Sequence, residues 1–294
     1  KGNIHSAQHH DSAAKHVSGQ AVYVDDINMP NHGLVVLIGQ SPHAHALIRG
    51  MDLTAVAAAP GVLRVMTAED VPGFNDCSPV AHDDPIFAVE KVSYVGQSVF
   101  AVVAENMTAA RAALPLAHID YDPLPAILTI DAAMEASSFH GPPAQMKKGE
   151  PDKHLASASR KLSGRLYCGG QEHFYLEGQA ALAIPGEDGD IQLYASTQHP
   201  SEIQHKVAEM LGVSSHAVTV ETRRMGGAFG GKESQGNLPA LTAALAAHLT
   251  GRPAKTVYDR DDDFMLTGKR HDFRIDYEVG FDDDGRIKVV FFDQ

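Results

Sequence analysis

The stretch Met225-Gly226-Gly227-Ala228-Phe229-Gly230-Gly231-Lys232-Glu233-Ser234 constrains this chain more than any other. Four glycines in the six positions 226–231 leave the backbone bare. The chain must either turn sharply there or let a ligand come close to its main chain. Residues 217–222 alternate like a strand, and 233–250, rich in Ala and Leu, form the longest helical pattern, stopped by Gly251-Arg252-Pro253. A bare loop opening a helix turns free N–H groups toward whatever sits there, preferably an anion.

Several readings of this loop compete. Gly226, Gly231 and Lys232 fit the G-x-x-x-x-G-K pattern of a nucleotide-binding ATPase. The next position must then carry a hydroxyl for magnesium, and here it is Glu233, whose charge opposes phosphate. The dinucleotide pattern G-x-G-x-x-G fails, because the glycine pairs at 226–227 and 230–231 are wrongly spaced. A third reading sets the backbone and Phe229 against a large cofactor, with Glu233 projecting beyond. A purely structural turn in a non-catalytic assembly domain is the bland alternative.

Two further clusters stand out. Gly169-Gly170-Gln171-Glu172-His173-Phe174-Tyr175-Leu176-Glu177 packs acids, a histidine and two aromatics densely. Glu172, His173 and Glu177 are ligand types, but the HExxH spacing is absent, so a buried hydrogen-bonded corner is the better reading. Ser196-Thr197-Gln198-His199-Pro200 lies between a strand and a helix, where ligands collect in mixed α/β folds. Gln198 both donates and accepts, which suits orienting a polar cofactor atom.

Other features carry less. His43 and His45 read as structural, and His5, His9 and His10 as a loose tail. Asp282-Asp283-Asp284-Gly285 lacks the flanking ligands of a calcium loop and reads as a hairpin turn. The acidic run 259–263 is expected to be a solvated or helix-start segment, pairing with Lys269 and Arg270. Cys77 and Cys168 form no metal or redox pattern and suit a reducing compartment.

The charge balance, 24 basic against 37 acidic residues for a net −13, excludes general nucleic-acid binding. No apolar run reaches the ~18–20 residues of a membrane span. Residues 1–11 are polar and His-rich, unlike a secretory signal. A soluble, cytoplasmic enzyme or enzyme piece is expected.

Residues 1–14 read as a polar lead-in. Strands are expected at 34–38, 62–66 and 98–104, a helix from 107, and an extended piece at 119–125. Residues 126–163, rich in Ala, Ser, Pro and Gly, read as a linker. Beyond it come strands near 162–167, 179–184 and 191–195, and a helix from Pro200 to 211 stopped by Gly212. A hairpin of 273–279 and 286–292 closes the pattern.

Taken in order, Gly170–Glu177, Ser196–Pro200 and Gly226–Glu233 resemble the molybdenum hydroxylases. Within that family they are most similar to the large, molybdenum-cofactor subunit of bacterial xanthine dehydrogenase. Gly19-Gln20-Ala21-x-Tyr23-x-Asp25-Asp26, Tyr94-Val95-Gly96-Gln97-Ser98, Arg260-Asp261-Asp262-Asp263 and Gly268-Lys269-Arg270-His271 fit the same family, so the resemblance runs from about Asp11 onward. It implies a mixed α/β (α+β) fold: an α/β hammerhead domain at 15–125, then the first part of a molybdopterin-binding domain at 164–294.

The resemblance also implies roles. Gln198 would hydrogen-bond an oxygen ligand of molybdenum. The backbone of Phe229 and Gly230 would lie against the metal's oxygen face. Glu233 would orient a purine. In aldehyde oxidases that last position looks apolar, so Glu233 favours xanthine or hypoxanthine, with an aldehyde oxidase or other molybdenum hydroxylase as the alternative. Ala228 departs from the third glycine common in xanthine dehydrogenases.

The implied reaction is hydroxylation of an aromatic carbon by a metal-bound hydroxide, with hydride passing to a sulfido ligand. Electrons would leave to iron–sulfur clusters and FAD on a partner subunit, then to NAD. The pterin holds the metal, so no protein metal ligand is implied. The general base would lie beyond Gln294. The chain is therefore expected to be an incomplete N-terminal portion, inactive and cofactor-free alone, and part of an oligomer in the full enzyme.

Overall fold

A computed structural model describes residues 4–293. Residues 1–3 and 294, the outer ends of the expected lead-in and of the expected cofactor-domain portion, lie outside the described residues. The chain separates into two compact units. One holds the residues up to Leu124 together with Phe174–Gly268, and the other holds Pro125–His173 with the residues from Lys269 onward.

In chain order the first part of the larger unit contains α1 (Ala13–Ser18), β1 (Leu34–Gln40), β2 (Ala46–Asp52), α2 (Thr54–Ala57), β3 (Val62–Met66), β4 (Lys91–Val92), β5 (Ser98–Ala104), α3 (Met107–Ala113) and β6 (His118–Pro123). The smaller unit then begins with α4 (Ile130–Glu135), α5 (Pro151–Ser157) and β7 (Arg160–Cys168). The chain returns to the larger unit for β8 (Ala180–Pro185), β9 (Ile191–Ala195), α6 (Pro200–Leu211), β10 (Val218–Glu221), α7 (Asn237–Thr250), β11 (Ala254–Val257) and α8 (Arg260–Leu266). It ends in the smaller unit with β12 (Phe273–Phe281) and β13 (Ile287–Asp293).

A seven-stranded sheet organises the larger unit, in the order β10-β9-β8-β11-β1-β5-β3. Strands from before and after the 126–163 segment therefore share one sheet. The joint is β1 against β11, paired in parallel with Leu34 opposite Ala254. Both faces of the central strands are covered, and this explains why β5 is apolar after Ser98 and buried throughout. Its Ala101 and Val103 join β1's Leu34 and Val36 in the core that packs on α7. Val99, Val102 and Ala104 face the opposite core, which contains Val56 and Ala110 of α2 and α3. A second, three-stranded sheet, β4-β2-β6, completes this unit.

Helix α7 is buried from Pro239 to Ala247. Its alanines let the helix axis come close to β8 and β11, so the helix shows little amphipathic contrast. Helix α6 starts with Pro200 in its first turn and stops at Gly212, which takes the left-handed φ of 68°.

The smaller unit is a sheet ordered β13-β12-β7 with α4 and α5 beside it. Arg165 pairs with Asp276 across β7 and β12, and Asp282 closes the β12–β13 turn by accepting the Arg286 N–H at 2.9 Å.

Several local expectations change. A helix, α1, begins at the last two residues of the lead-in and runs beyond it to Ser18, ended by Gly19 at φ 73°. The 126–163 segment holds α4, α5 and the start of β7. Helix α7 starts at Asn237, not at 233, because the Lys232 carbonyl is already used by the Gln198 N–H and the Thr197 hydroxyl. The acidic run pairs with Arg111 and Arg260, while Lys269 meets Glu172. The distance along the chain hides the Arg111 and Glu172 pairings, while Arg260 meets Asp263 within one helical turn.

Candidate functional site

Strands β9 and β10 run parallel, with Ile191 beside Val218 and Tyr194 beside Glu221. Their C-terminal ends therefore emerge at the same sheet end. The loop 196–199 leaves β9 there and the glycine loop follows β10, which brings Gln198 and residues 226–233 together.

Gln198 is clamped to the loop at three points. Its backbone N–H donates to the Lys232 carbonyl at 2.9 Å. Its Oε1 accepts from the Gly230 N–H at 3.1 Å and from the Lys232 N–H at 3.4 Å. Two N–H donors fix which end of the amide faces inward, so the Nε2 donor is turned to the exposed side. The loop closes on itself where the Gly231 N–H donates to the Ala228 carbonyl at 2.8 Å. Ala228 is itself buried.

Phe229 sits in the left-handed region with φ 56°, and its side chain is 76 % exposed. A non-glycine residue there costs about 1–2 kcal/mol, so its surroundings must hold it. Gly227, at φ 101°, is required beneath it: a β-carbon would lie 3.3 Å from Phe229 Cε2 and 3.2 Å from Tyr175 Cβ. Glu233 is exposed next to the buried Lys232. The structure thus assembles the four residues singled out in the sequence, Gln198, Phe229, Gly230 and Glu233, along one loop and the strand end beside it.

Under the loop lies a buried polar layer. Lys232 has no exposed surface. Its Nζ reaches Ser196 Oγ at 2.8 Å and Glu177 Oε2 at 3.1 Å, and it sits 4.7 Å from the Tyr175 ring centre. Burial pulls the Lys232 ammonium below the ordinary lysine value, and the Glu177 carboxylate works against that. Glu177 Oε2 also accepts the Gly226 N–H at 2.7 Å. Gln179 Nε2 donates to the Gly231 carbonyl and to the Tyr175 hydroxyl, each at 2.9 Å. Burial raises the Tyr175 phenol, and the hydrogen bond to Asp263 adds to the rise.

This layer removes the nucleotide-phosphate reading, because a P-loop lysine must face the phosphates and Lys232 faces the core. It also resolves the 169–177 cluster. Tyr175 and Glu177 form a hydrogen-bonded corner of the larger unit, while Glu172 and His173 belong to the smaller one. The preferred reading of 169–177 as a buried hydrogen-bonded corner fits Tyr175 and Glu177, but the sequence does not show that Ser196, Lys232 and Asp263 are their partners. The available signal was polar residue types next to glycine and aromatic positions that must be buried.

The N–H groups of Gly226, Gly230, Gly231 and Lys232 are all taken by protein acceptors. A side-chain amide beside a glycine-bare backbone suits an oxygen-rich organic cofactor more than a bare cation. Among the described residues no group of three or more His, Cys, Asp or Glu side chains is placed to hold a metal ion. No helix among them is long and apolar enough to cross a membrane.

Residues 135–294 match the molybdopterin cofactor-binding domain. The chain belongs to the molybdenum hydroxylases. Residues 18–125 match the a/b hammerhead domain of aldehyde oxidase and xanthine dehydrogenase. The chain is 42 % identical over 282 residues to the xanthine dehydrogenase/oxidase of Mus musculus, covering 96 % of this chain and 21 % of that protein. It is 40 % identical to aldehyde oxidase 2 of Cavia porcellus, over 96 % of this chain and again 21 % of the relative. The chain thus spans about a fifth of the length of these curated relatives. Its fold superposes on an aldehyde oxidoreductase from Desulfovibrio gigas with a TM-score of 0.85 and 27 % identity, covering 94 % of this chain and 32 % of that one. The mixed α/β fold and the match to a molybdopterin cofactor-binding domain are accordingly established for this molybdenum hydroxylase chain.

Proposed function

We propose that this chain supplies one wall of the active site of an oxidoreductase that hydroxylates purines, taking hypoxanthine to xanthine and xanthine to urate. The observation that carries the reading is the Gln198–Gly230 clamp, 3.1 Å long, with Glu233 exposed two residues past the glycine loop. The clamp leaves the Gln198 amide as a hydrogen-bond donor beside exposed Phe229. The bound molybdopterin supplies the metal and the two-electron oxidation.

The chain's own residues then have separate tasks. Gln198 would hold the cofactor by donating a hydrogen bond to one of its oxygens. The backbone at Phe229 and Gly230 limits how close the cofactor can approach. Glu233 pairs with the polar edge of a purine by accepting from its N–H groups. Iron–sulfur clusters, FAD and NAD belong to a partner subunit or domain in this reading. The enzyme is cytoplasmic and oligomeric, with residues 15–125 as the hammerhead portion and 164–294 as the opening of the cofactor domain.

Aldehyde oxidation is the second reading, supported by the 40 % identity to an aldehyde oxidase. Glu233→Ala in the full gene product separates the two. The purine reading expects kcat/KM for xanthine to fall about 10²–10³-fold, with turnover of an aromatic aldehyde changed by less than about 5-fold. Equal loss on both substrates, or no loss on xanthine, removes Glu233 as the purine contact.

A further inference from the structure

The glycine loop is not held only by its own turns. Gly226 at its start and Lys232 at its end converge on one oxygen, Glu177 Oε2, at 2.7 and 3.1 Å. The Ser196 hydroxyl donates to the same oxygen at 2.8 Å, and its own oxygen receives Lys232 Nζ at 2.8 Å. The Lys232 main chain meanwhile holds Gln198 through its carbonyl and N–H. One side chain, anchored in the strand-end corner, therefore closes the loop from below while its own backbone closes it from the side.

The cost of this arrangement argues for a purpose. A fully buried ammonium is expensive unless paired, and replacing such an ion pair with apolar residues is often neutral or stabilising. The pair spans 55 residues of sequence. Its partners are the loop ends and the strand end that carries Gln198, not the centre of either hydrophobic core.

We propose that Glu177 and Lys232 are positioning residues: their buried ion pair fixes the ring of backbone from Gly226 to Gly230 in the shape that receives the cofactor. This rests on the molybdopterin reading of the loop. The pair lies buried beneath the loop and contacts Ser196, Tyr175 and the Gly226 N–H. It acts by holding the Gly230 N–H on Gln198 and by keeping Phe229 in its unfavourable backbone conformation.

The test uses the full gene product carrying Glu177→Gln with Lys232→Met, which removes both charges at similar volume. Glu177→Gln alone serves as a second variant: it keeps an oxygen for the Gly226 N–H but leaves the buried Lys232 without its carboxylate partner. Three quantities are read: the melting temperature, the hydrogen-exchange rate of the amides of 226–231, and the molybdenum and pterin content per chain. The expected result is a melting temperature near that of the parent, at least 10-fold faster exchange confined to the loop, and cofactor content reduced at least threefold. The single variant is expected to show the same loop-confined exchange with a lower melting temperature, and it decides the matter if the double variant does not fold. Unchanged exchange and unchanged cofactor content in a folded variant overturn the proposal. A parent protein that carries no molybdopterin overturns the underlying reading instead, and the exchange rates still report on the pair.

Discussion

The Tyr175 hydroxyl donates to Asp263 at 2.7 Å, joining a corner before β8 to helix α8 across 88 residues of sequence. Neither side chain has exposed surface. Arg260 completes the joint: it pairs with Asp263 at 3.1 Å and donates to the Tyr175 carbonyl at 2.7 Å. Tyr175→Phe leaves Asp263 short of one donor and Gln179 short of one acceptor. Its expected cost is about 1–3 kcal/mol, read as a lower melting temperature with the fold retained.

Gln198 has two separable jobs. Gln198→Glu keeps oxygen acceptors for the Gly230 and Lys232 N–H groups but removes the outward donor. Gln198→Met removes both. Loop exchange is expected to stay slow in the glutamate variant and to rise in the methionine variant. Turnover is expected to fall by 10-fold or more in each, on the order seen when one preorganised donor is lost. Parental turnover in the glutamate variant would show that no donor is needed at this position.

Acid should loosen the contact between Asp76 and helix α6. Burial opposes ionisation of Asp76, but hydrogen bonds from Ser78, Lys206 and His82 outweigh it and hold the carboxyl at about 2, against an ordinary 3.8. The folded value lies below the unfolded one. The stabilisation, about 2 kcal/mol, is therefore complete above about pH 5 and disappears as the pH falls through 2. Melting temperatures measured from pH 6 to pH 2 should fall less steeply for Asp76→Asn than for the parent, from a lower starting value.

Helix α7 has no room on its buried face. Ala244 is fully buried. Ala244→Leu is expected to destabilise by about 1–3 kcal/mol through overpacking, whereas Thr250→Ser at the helix end should change little. Thermal unfolding of the two variants side by side measures the contrast.

Much of this was legible in the residues themselves. Pro200 and Gly212 mark both ends of α6, because each acts within one turn of its own position. The apolar run of β5 announces a strand covered on two faces. Gln198, Phe229, Gly230 and Glu233 could be proposed from the sequence because glycine and strand-end patterns are local, and the structure places Gln198 Oε1 on the Gly230 N–H. The Glu177–Lys232 pair was not, since neither residue carries a local mark of its partner. The strand β11 was also hidden. Its four residues, Ala-Lys-Thr-Val, alternate buried and half-buried and are too few to announce a strand, yet they sit at the middle of the largest sheet.

That central place for β11 bears on synthesis. The ribosome delivers Leu34–Gln40 long before Ala254–Val257, so β1 waits more than two hundred residues for one of its two neighbours. Until then, one flank of an apolar strand carries open N–H and C=O groups, the usual template for unwanted pairing between nascent chains. Expression of residues 18–125 by themselves would make that exposure permanent, and chaperone capture of the growing chain would be most valuable in the interval before Val257 appears.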